Sequence, residues 1–363
     1  MAPTRSMLSA EREIPIFGAR ARDRRAYLEV ALQRLTAHHA DRCWPYRNFL
    51  DAMFPKWHEA QSLEELPYLP VGIFKRAHLV SVPEAEVFRT VRSSGTTGTS
   101  SRVVLDRSTA AAQTRTLSEI MSHVLGRARR PMLIVDTEAV IKNPAEHTAR
   151  AAGVLGMMGL GRKHVFLLDA DMREQPDRLR EFAERHAGED LLIFGFTFMV
   201  WRHLHRAFAG CGVDLSRATL IHSGGWKKLE HEKVDNTTFK AELEGAFGLR
   251  NVVNFYGMAE QTGSVFVEGD DGLLHPSREA EVLIRDPRTL QVLRSGEEGL
   301  IQVLSTLPRS YPGQSILTED LGVIDRVDAT DDPLGGTAFR VLGRLPRSEL
   351  RGCSDTYGME VAA

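Results

Sequence analysis

Five short apolar runs, separated by amphipathic stretches, constrain the fold of this chain more than any other feature of its sequence. Helix candidates lie between them at residues 108–126, with Ser108 as N-cap, and at 175–188, with Pro176 in the first turn and Gly188 after the end. Alternation of this kind predicts a mainly parallel sheet covered by helices on both faces. The predicted strands are PMLIVD (131–136), HVFLLD (164–169), DLLIFGF (190–196), ATLIHSG (218–224) and NVVNFYG (251–257).

The segments on either side of this core differ from it. RDRRAYLEVALQRLTAHHA (22–40) indicates a helix. Its apolar residues at helical spacing are Tyr27, Val30, Leu32 and Leu35. Near the other end, AEVLIRD, QVLRSG, EGLIQVLST and FRVLGR favour strands. We therefore predict an α/β fold in three parts: a helical N-terminal segment (1–88), an α/β core (89–278) and a smaller β-rich portion (279–363).

Composition narrows the class of protein. With 363 residues, 42% hydrophobic and 26% charged, the chain has enough apolar material for a large core. A net charge of −2 argues against a nucleic-acid partner held by bulk electrostatics. We expect a cytoplasmic protein, because neither a signal peptide nor a bilayer-spanning apolar run is evident, and because Cys43, Cys211 and Cys353 are few and widely spaced.

Three unusual segments follow predicted strands. HSGGW follows residues 218–222, FYGMAEQTG follows 251–255, and SSGTTGTSSR occupies 93–102. In open α/β sheets, ligands bind in the crevice at the carboxyl ends of the strands, so these segments are expected to meet at one site. In the last segment, seven Ser or Thr hydroxyls and two glycines suit close backbone approach to a phosphate; a solvated loop is the alternative.

The segment SSGTTGTSSR closely resembles the nucleotide loop of the adenylate-forming enzymes, the superfamily that includes acyl-CoA ligases. The basic residue comes one position later here than in that family's pattern. The resemblance implies ATP-phosphate contacts from Ser93, Ser94, Gly95, Thr96, Thr97, Gly98, Thr99 and Arg102.

NFYGMAEQTG (254–263) resembles the superfamily's Y-G-x-[TS]-E segment, with Ala259 where Thr is commoner. The resemblance implies that Tyr256 and Gly257 lie against the adenine, and that Glu260 binds Mg²⁺. A hard cation prefers such a carboxylate together with phosphate oxygens. A strand-end turn followed by a helix-start Glu is the alternative interpretation.

Three further segments match the superfamily in the same chain order. TEDLG (318–322) resembles T-G-D, with Glu319 in place of Gly, and implies that Asp320 binds the ribose hydroxyls. LGR (342–344) implies that Arg344 is a second ribose or phosphate contact with a catalytic role. HSGGWKK implies that Gly224 and Gly225 line the adenine and acyl pocket.

Past this point the sequence departs from typical members of the superfamily, which continue into a lid domain with a catalytic Lys. GRLPRSELRGCSDTYG (343–358) instead resembles the LuxE-type acyl-protein synthetases of bacterial luminescence operons. LPVGIFK, SSGTTGTSSR, HSGGWKK and RGCSDT together support this, from about residue 65 onward. In that family the Cys of R-G-C takes the activated acyl group as a thioester, which implies this role for Cys353. Cys43 and Cys211 are expected to be structural.

The resemblance implies an ATP- and Mg²⁺-dependent ligase. It would activate a fatty or aryl acid as acyl-adenylate, transfer the acyl group to Cys353, and pass it to a partner such as an acyl reductase. Lys75, Arg102 and Arg344 are candidate replacements for the lid Lys. The alternatives are an acyl- or aryl-CoA ligase related to phenylacetate-CoA ligase, and a non-catalytic nucleotide- or acyl-binding subunit.

The acid itself is least specified by the sequence. FGFTFMVW (194–201) is rich in aromatic residues, and the predicted substrate pocket is formed by Phe196, His222 and Trp226. Ordinary core packing is an equal alternative for each of the three.

Overall fold

One large mixed sheet runs through the computed structural model, which describes residues 14–92, 100–142, 148–226 and 231–345. The early strands are β1 (Leu69–Pro70), β2 (Val87–Arg92), β3 (Arg102–Asp106), β4 (Arg130–Thr137), β5 (Gly161–Leu168), β6 (Leu191–Phe196) and β7 (Ala218–Ser223). The later strands are β8 (Asn251–Tyr256), β9 (Phe266–Glu268), β10 (Leu274–His275), β11 (Ala280–Arg285), β12 (Glu298–Ser305), β13 (Ser315–Val327) and β14 (Thr337–Arg344).

Helices cover both faces of this sheet. They are α1 (Ala21–Arg42), α2 (Trp44–Met53), α3 (Arg107–Leu125), α4 (Ala139–Lys142), α5 (Ala149–Met158), α6 (Pro176–Arg185), α7 (Thr197–Met199) and α8 (Asn236–Phe247). A π-helix, Val200–Arg206, continues directly from α7. No helix within the described ranges combines the length and apolarity that crossing a bilayer requires.

The strand order joins a parallel half to an antiparallel half. The order is β11-β12-β13-β14-β10-β9-β8-β7-β6-β4-β5, with β1 beside β13, while β2 and β3 form a separate pair. Strands β4 to β8 pair in parallel, as the sequence predicted, and β9 to β14 pair antiparallel. The prediction of an α/β fold with a β-rich C-terminal portion is confirmed.

Alternate residues of the parallel strands pack into two different cores. Leu133 and Ile193 face the core under the π-helix and α8, whereas Ile134 and Leu192 face the core under α3 and α5. Successive side chains of a strand point to opposite faces, so a strand covered on both sides reads as a continuous apolar run.

Several local predictions were wrong. The N-cap of helix α3 lies two residues earlier than expected, at Asp106 in place of Ser108, and the Asp106 carboxylate accepts the Thr109 N–H at 2.9 Å. QVLRSG was expected to form a strand, but its pairing is limited to an isolated bridge between Val292 and Arg285. The long strand β13, which contains TED, was not among the predicted strands. Of the apolar residues whose spacing indicated α1, Val30 is 47% exposed.

Helix α1 is fixed to the antiparallel half by an apolar contact and an ion pair. Leu28 and Leu32 pack against residues of β11 and β12. Beside them, the Arg24 guanidinium lies 2.9 Å from the Glu281 carboxylate, and both side chains are almost fully buried. Removing one member of a buried pair is costly, because the remaining charge is left without a partner.

We therefore predict that Arg24→Met lowers the free energy of unfolding by about 3–5 kcal/mol. Arg47→Met is the matched control, because Arg47 and its partner Asp51 are about half exposed and such pairs contribute about 0–1 kcal/mol. Urea unfolding followed by circular dichroism measures both. Equal losses in the two variants would contradict the assigned role of the buried pair.

Candidate active site

A hydrogen bond between Tyr256 and Asp320 joins the two halves of the sheet. The Tyr256 hydroxyl, at the end of β8, donates to Asp320 Oδ2 at 2.7 Å, across 64 residues of sequence. The Tyr256 ring reaches β13 by packing on Phe266 of β9 and Phe339 of β14. Two of the segments singled out in the sequence therefore meet in space.

Strand pairing also brings Arg344 to Asp320. The two residues are direct cross-strand partners in β13 and β14. Arg344 Nε lies 3.3 Å from Asp320 Oδ1, and its side chain is 70% exposed, so most of the guanidinium is free to meet a ligand. A surface contact of this length stabilises the fold little.

Local geometry sets the direction of the Asp320 carboxylate. Thr318 Oγ1 accepts the Asp320 N–H at 3.1 Å and donates to the Ile301 carbonyl at 2.8 Å. The register shifts directly after this point, between Leu321 and Gly322. A Cβ on Gly322 would lie 2.7 Å from the Arg340 carbonyl oxygen, so only glycine fits there. Such irregularities re-aim side chains and are common beside active sites.

The Tyr256 hydroxyl is a permanent donor. Burial and the nearby Asp320 carboxylate raise its pKa well above 10, so it stays protonated in the physiological range. The hydrogen bond therefore holds both the ring and the carboxylate in place. A carboxylate has further lone pairs, so Asp320 can still accept from a ligand.

Glu260 lies in a short 3₁₀ turn, Ala259–Gln261, that follows β8. Its main chain is held by Tyr311, whose hydroxyl donates to the Glu260 carbonyl at 2.8 Å, and the Gln261 amide donates to the Gly313 carbonyl at 2.8 Å. Only 6% of Glu260 is exposed, and its carboxylate has no ion-pair partner in the described part of the chain. A buried carboxylate of this kind fits a hard divalent cation.

Gly224 and Gly225 form an exposed turn at the end of β7. Gly224 has φ +81°, a region that side chains other than glycine's rarely adopt, and a Cβ there would lie 3.5 Å from the Phe196 ring. Gly257, after β8, is exposed as well. These backbone positions are open to a planar ligand.

His222 lies among aromatic side chains. Its Nδ1 is 3.0 Å from Thr197 Oγ1, and its ring centroid is 4.7 Å from that of Phe239. Burial, with a contribution from the Lys240 charge, lowers the pKa of His222 to about 3, so the imidazole is neutral at physiological pH. Trp226 packs against Phe239 and Trp201 in the same core. Phe196 is the most accessible of the three predicted pocket residues. That these residues bind the acid stays a prediction.

The structure describes only some of the other predicted site residues. Arg102 begins β3 and Lys75 ends a 3₁₀ helix, and both are exposed. The hydroxyl-rich residues 93–99 and Cys353 lie outside the described residues. Sequence reasoning missed Thr318 and Tyr311, which hold Asp320 and Glu260 in place; Thr318 stands two residues before Asp320 in TED, a spacing at which a hydroxyl can bond the following backbone.

Comparison with known proteins gives one family model and two curated relatives. A family model described as "Acyl-protein synthetase, LuxE" matches residues 20–361. Two curated relatives are both called long-chain-fatty-acid–luciferin-component ligase. The one from Aliivibrio fischeri is 22% identical over 299 residues, and the one from Vibrio harveyi is 25% identical over 312 residues. Each match covers 81% of this chain and 78% of the relative.

A solved structure shares the fold. The open conformation of a 2-hydroxyisobutyryl-CoA ligase, in complex with 2-HIB-AMP and CoA, superposes with a TM-score of 0.69 at 18% identity. The match covers 95% of this chain and 79% of that protein. The same ligase in its postadenylation state also gives a TM-score of 0.69. The fold is therefore that of an adenylate-forming enzyme.

The buried, neutral state of His222 has a measurable consequence. In the unfolded chain this imidazole takes a proton near pH 6.5, but in the folded protein only near pH 3. Between these values the unfolded state binds more protons, so stability falls as the pH falls below 6.5. We predict that His222→Gln makes this loss shallower, by up to about 1.4 kcal/mol per pH unit.

Denaturant unfolding between pH 4.5 and 7 measures that slope. His231→Gln is the control, because the His231 side chain is 74% exposed and its removal should leave the slope unchanged. An unchanged slope in His222→Gln would show that the folded protein binds a proton there after all.

Proposed function

Because this chain belongs to the LuxE family of acyl-protein synthetases, we propose that it activates a carboxylic acid with ATP and passes the acyl group to Cys353. It is an acid ligase, as the family match and the curated relatives indicate. The observation that carries the proposal is the Tyr256–Asp320 hydrogen bond. It joins the segment that resembles an adenine-binding segment to the segment that resembles a ribose-binding segment.

Different described residues would contact the adenine, the ribose and the phosphate of the nucleotide. The Tyr256 ring would stack on the adenine, held at its hydroxyl by Asp320. The remaining lone pairs of Asp320 would accept from the ribose hydroxyls, with the exposed Arg344 beside them at the ribose or α-phosphate. Gly224, Gly225 and Gly257 leave room for the purine because they carry no side chain there.

Activation replaces a poor leaving group with a good one. A carboxylate oxygen of the acid attacks the α-phosphorus; the new O–P bond forms as the bond to the β-phosphate oxygen breaks, and pyrophosphate leaves. Glu260 is the residue that would hold Mg²⁺, which supplies positive charge to the phosphate oxygens when bound. Hydroxyl and N–H donors of residues 93–99, followed by Arg102, would stabilise the charge on the transferring group.

Acyl transfer to protein requires a reactive thiol. We assign it to Cys353, whose thiolate would attack the acyl carbon so that a C–S bond forms and AMP leaves. Cys43 does not suit this step, since it is 1% exposed and burial raises its thiol pKa, which leaves little thiolate. A partner such as an acyl reductase would then take the acyl group. The curated relatives are named for long-chain fatty acids, and a fatty or aryl acid is the proposed substrate.

We predict that Asp320→Asn raises the KM for ATP about 10- to 100-fold, because a charged acceptor for the ribose hydroxyls is worth about 1.5–3 kcal/mol. The variant should also lose the wild-type preference for ATP over 2′-deoxy-ATP. ATP–pyrophosphate exchange measures both. Asp325→Asn is the matched control, since Asp325 lies on the same strand with similar exposure and pairs with Arg340. An unaltered nucleotide preference in Asp320→Asn would contradict ribose binding.

We predict that Cys353→Ser keeps ATP–pyrophosphate exchange but loses the covalent acyl adduct seen by intact-mass spectrometry. Cys211→Ser should keep both, as a structural thiol would. An adduct that persists in Cys353→Ser would contradict the assigned acceptor. Release of a soluble CoA thioester without any adduct would identify a CoA ligase, and absence of exchange with every acid of a fatty and aryl panel would leave only a binding subunit.

A further inference from the structure

Three potential metal ligands lie close together, and none of them is among the residues assigned to the nucleotide. Asp271 and His275 belong to the β9–β10 hairpin region, and Asp332 belongs to the connection between β13 and β14. One ligand atom from each lies within 4.8 Å of the other two. His275 is completely buried, and the Asp332 side chain is 3% exposed.

Both ring nitrogens of His275 face carboxylates. Nε2 lies 3.3 Å from each oxygen of Asp271, and Nδ1 lies 3.4 Å from Asp332 Oδ2. A neutral imidazole has a single N–H. If that hydrogen points to Asp271, the bare Nδ1 lone pair and the Asp332 carboxylate oppose each other with no positive charge between them, which is unfavourable in a buried place.

The separations do not suit a shared proton. Charge-assisted hydrogen bonds are about 2.7–2.9 Å long. Elsewhere in this chain, His186 Nδ1 lies 2.8 Å from Glu189, and His203 Nδ1 lies 2.7 Å from Glu174. By contrast, His275 Nδ1 and Asp332 Oδ2 are both buried and make no hydrogen bond within the described ranges.

The separation between His275 Nδ1 and Asp332 does suit a metal ion. Two ligand atoms about 2.0–2.2 Å from a tetrahedral ion are about 3.3–3.6 Å from each other, which includes the 3.4 Å between His275 Nδ1 and Asp332 Oδ2. An imidazole ligand favours a transition metal over Mg²⁺ or Ca²⁺. Asp271 is already oriented, because its carboxylate accepts the Leu273 N–H at 2.9 Å and pairs with Arg326.

We propose that His275 Nδ1 and Asp332 bind one divalent transition-metal ion of the Zn²⁺ class, with a structural role, while Asp271 accepts the His275 Nε2–H and so orients the ring. The ion joins the β9–β10 region to the β13–β14 connection. That connection also holds the N-terminal segment, since the Gly18 N–H donates to the Leu334 carbonyl at 2.7 Å and the Ala21 N–H donates to Asp328 at 2.8 Å. Metal binding therefore stabilises a junction of three chain segments, independently of Mg²⁺ at Glu260.

The test uses the full chain after treatment with a chelator. Equilibrium dialysis against Zn²⁺ with elemental analysis should find one ion per chain, and Zn²⁺ should raise the Tm. Co²⁺ in its place should give the visible absorption of a four-coordinate ion, and excess Mg²⁺ should not displace it. A chain that binds no Zn²⁺ or Co²⁺ stoichiometrically would overturn the proposal.

Variants locate the site. His275→Gln and Asp332→Asn should each lose the bound equivalent and the Zn²⁺-dependent rise in Tm. His203→Gln is the matched control, because it removes a buried His that faces one carboxylate, and it should bind as the wild type does. Retention of the ion by both His275→Gln and Asp332→Asn would overturn the assignment. If either fails to fold, Asp271→Asn takes its place, and it should weaken Zn²⁺ binding about 10- to 100-fold because the ring loses its orienting partner; unchanged binding in that variant would overturn the assignment.

Discussion

Backbone pairing through two very short strands holds the molecule together. Phe266 and Val267 of β9 pair with β8, both residues of β10 pair with β9, and Leu274 of β10 also pairs with Phe339 of β14. Without these bonds the parallel half and the antiparallel half would be separate sheets. Tyr256 and Asp320 could then not meet, and the proposed nucleotide site would not exist. The site is therefore a property of the junction between the halves and belongs to neither half alone.

Tyr256, Asp320 and Glu260 each have a separate role in the proposed site. The Tyr256 hydroxyl cannot ionise beside Asp320, so it acts only as a donor, and Asp320 keeps lone pairs for a ligand. Glu260 is buried and is held through its main chain, which leaves its carboxylate for a cation. The division suits a ligand that combines hydroxyl donors with bound Mg²⁺, as a nucleoside triphosphate does.

The sequence predicted the parallel strands well, because each is a continuous apolar run bounded by turn residues. It failed at β13, since TED interrupts the apolar pattern and acidic residues are typical of turns. Burial inside the sheet comes from pairing with β12 and β14, and local sequence does not contain that information. Tyr256, Asp320 and Arg344 were singled out by resemblance to a family, but their contacts with one another were not predicted. The low pKa of His222 depends on side chains from α7 and α8 that only the folded chain brings together.

Gly322 limits how the β13–β14 hairpin can change during evolution. A side chain at this position would collide with Ile301 and with the main chain of β14, so β13 cannot slide by one residue and bring a bulkier neighbour into that slot. An insertion or deletion inside the paired region would break this fit, so variation in length is confined to the connection that follows Val327, where Asp328, Asp332 and Leu334 limit it further. Homologous chains can therefore differ in the length of that connection while Asp320 and Arg344 remain opposite each other.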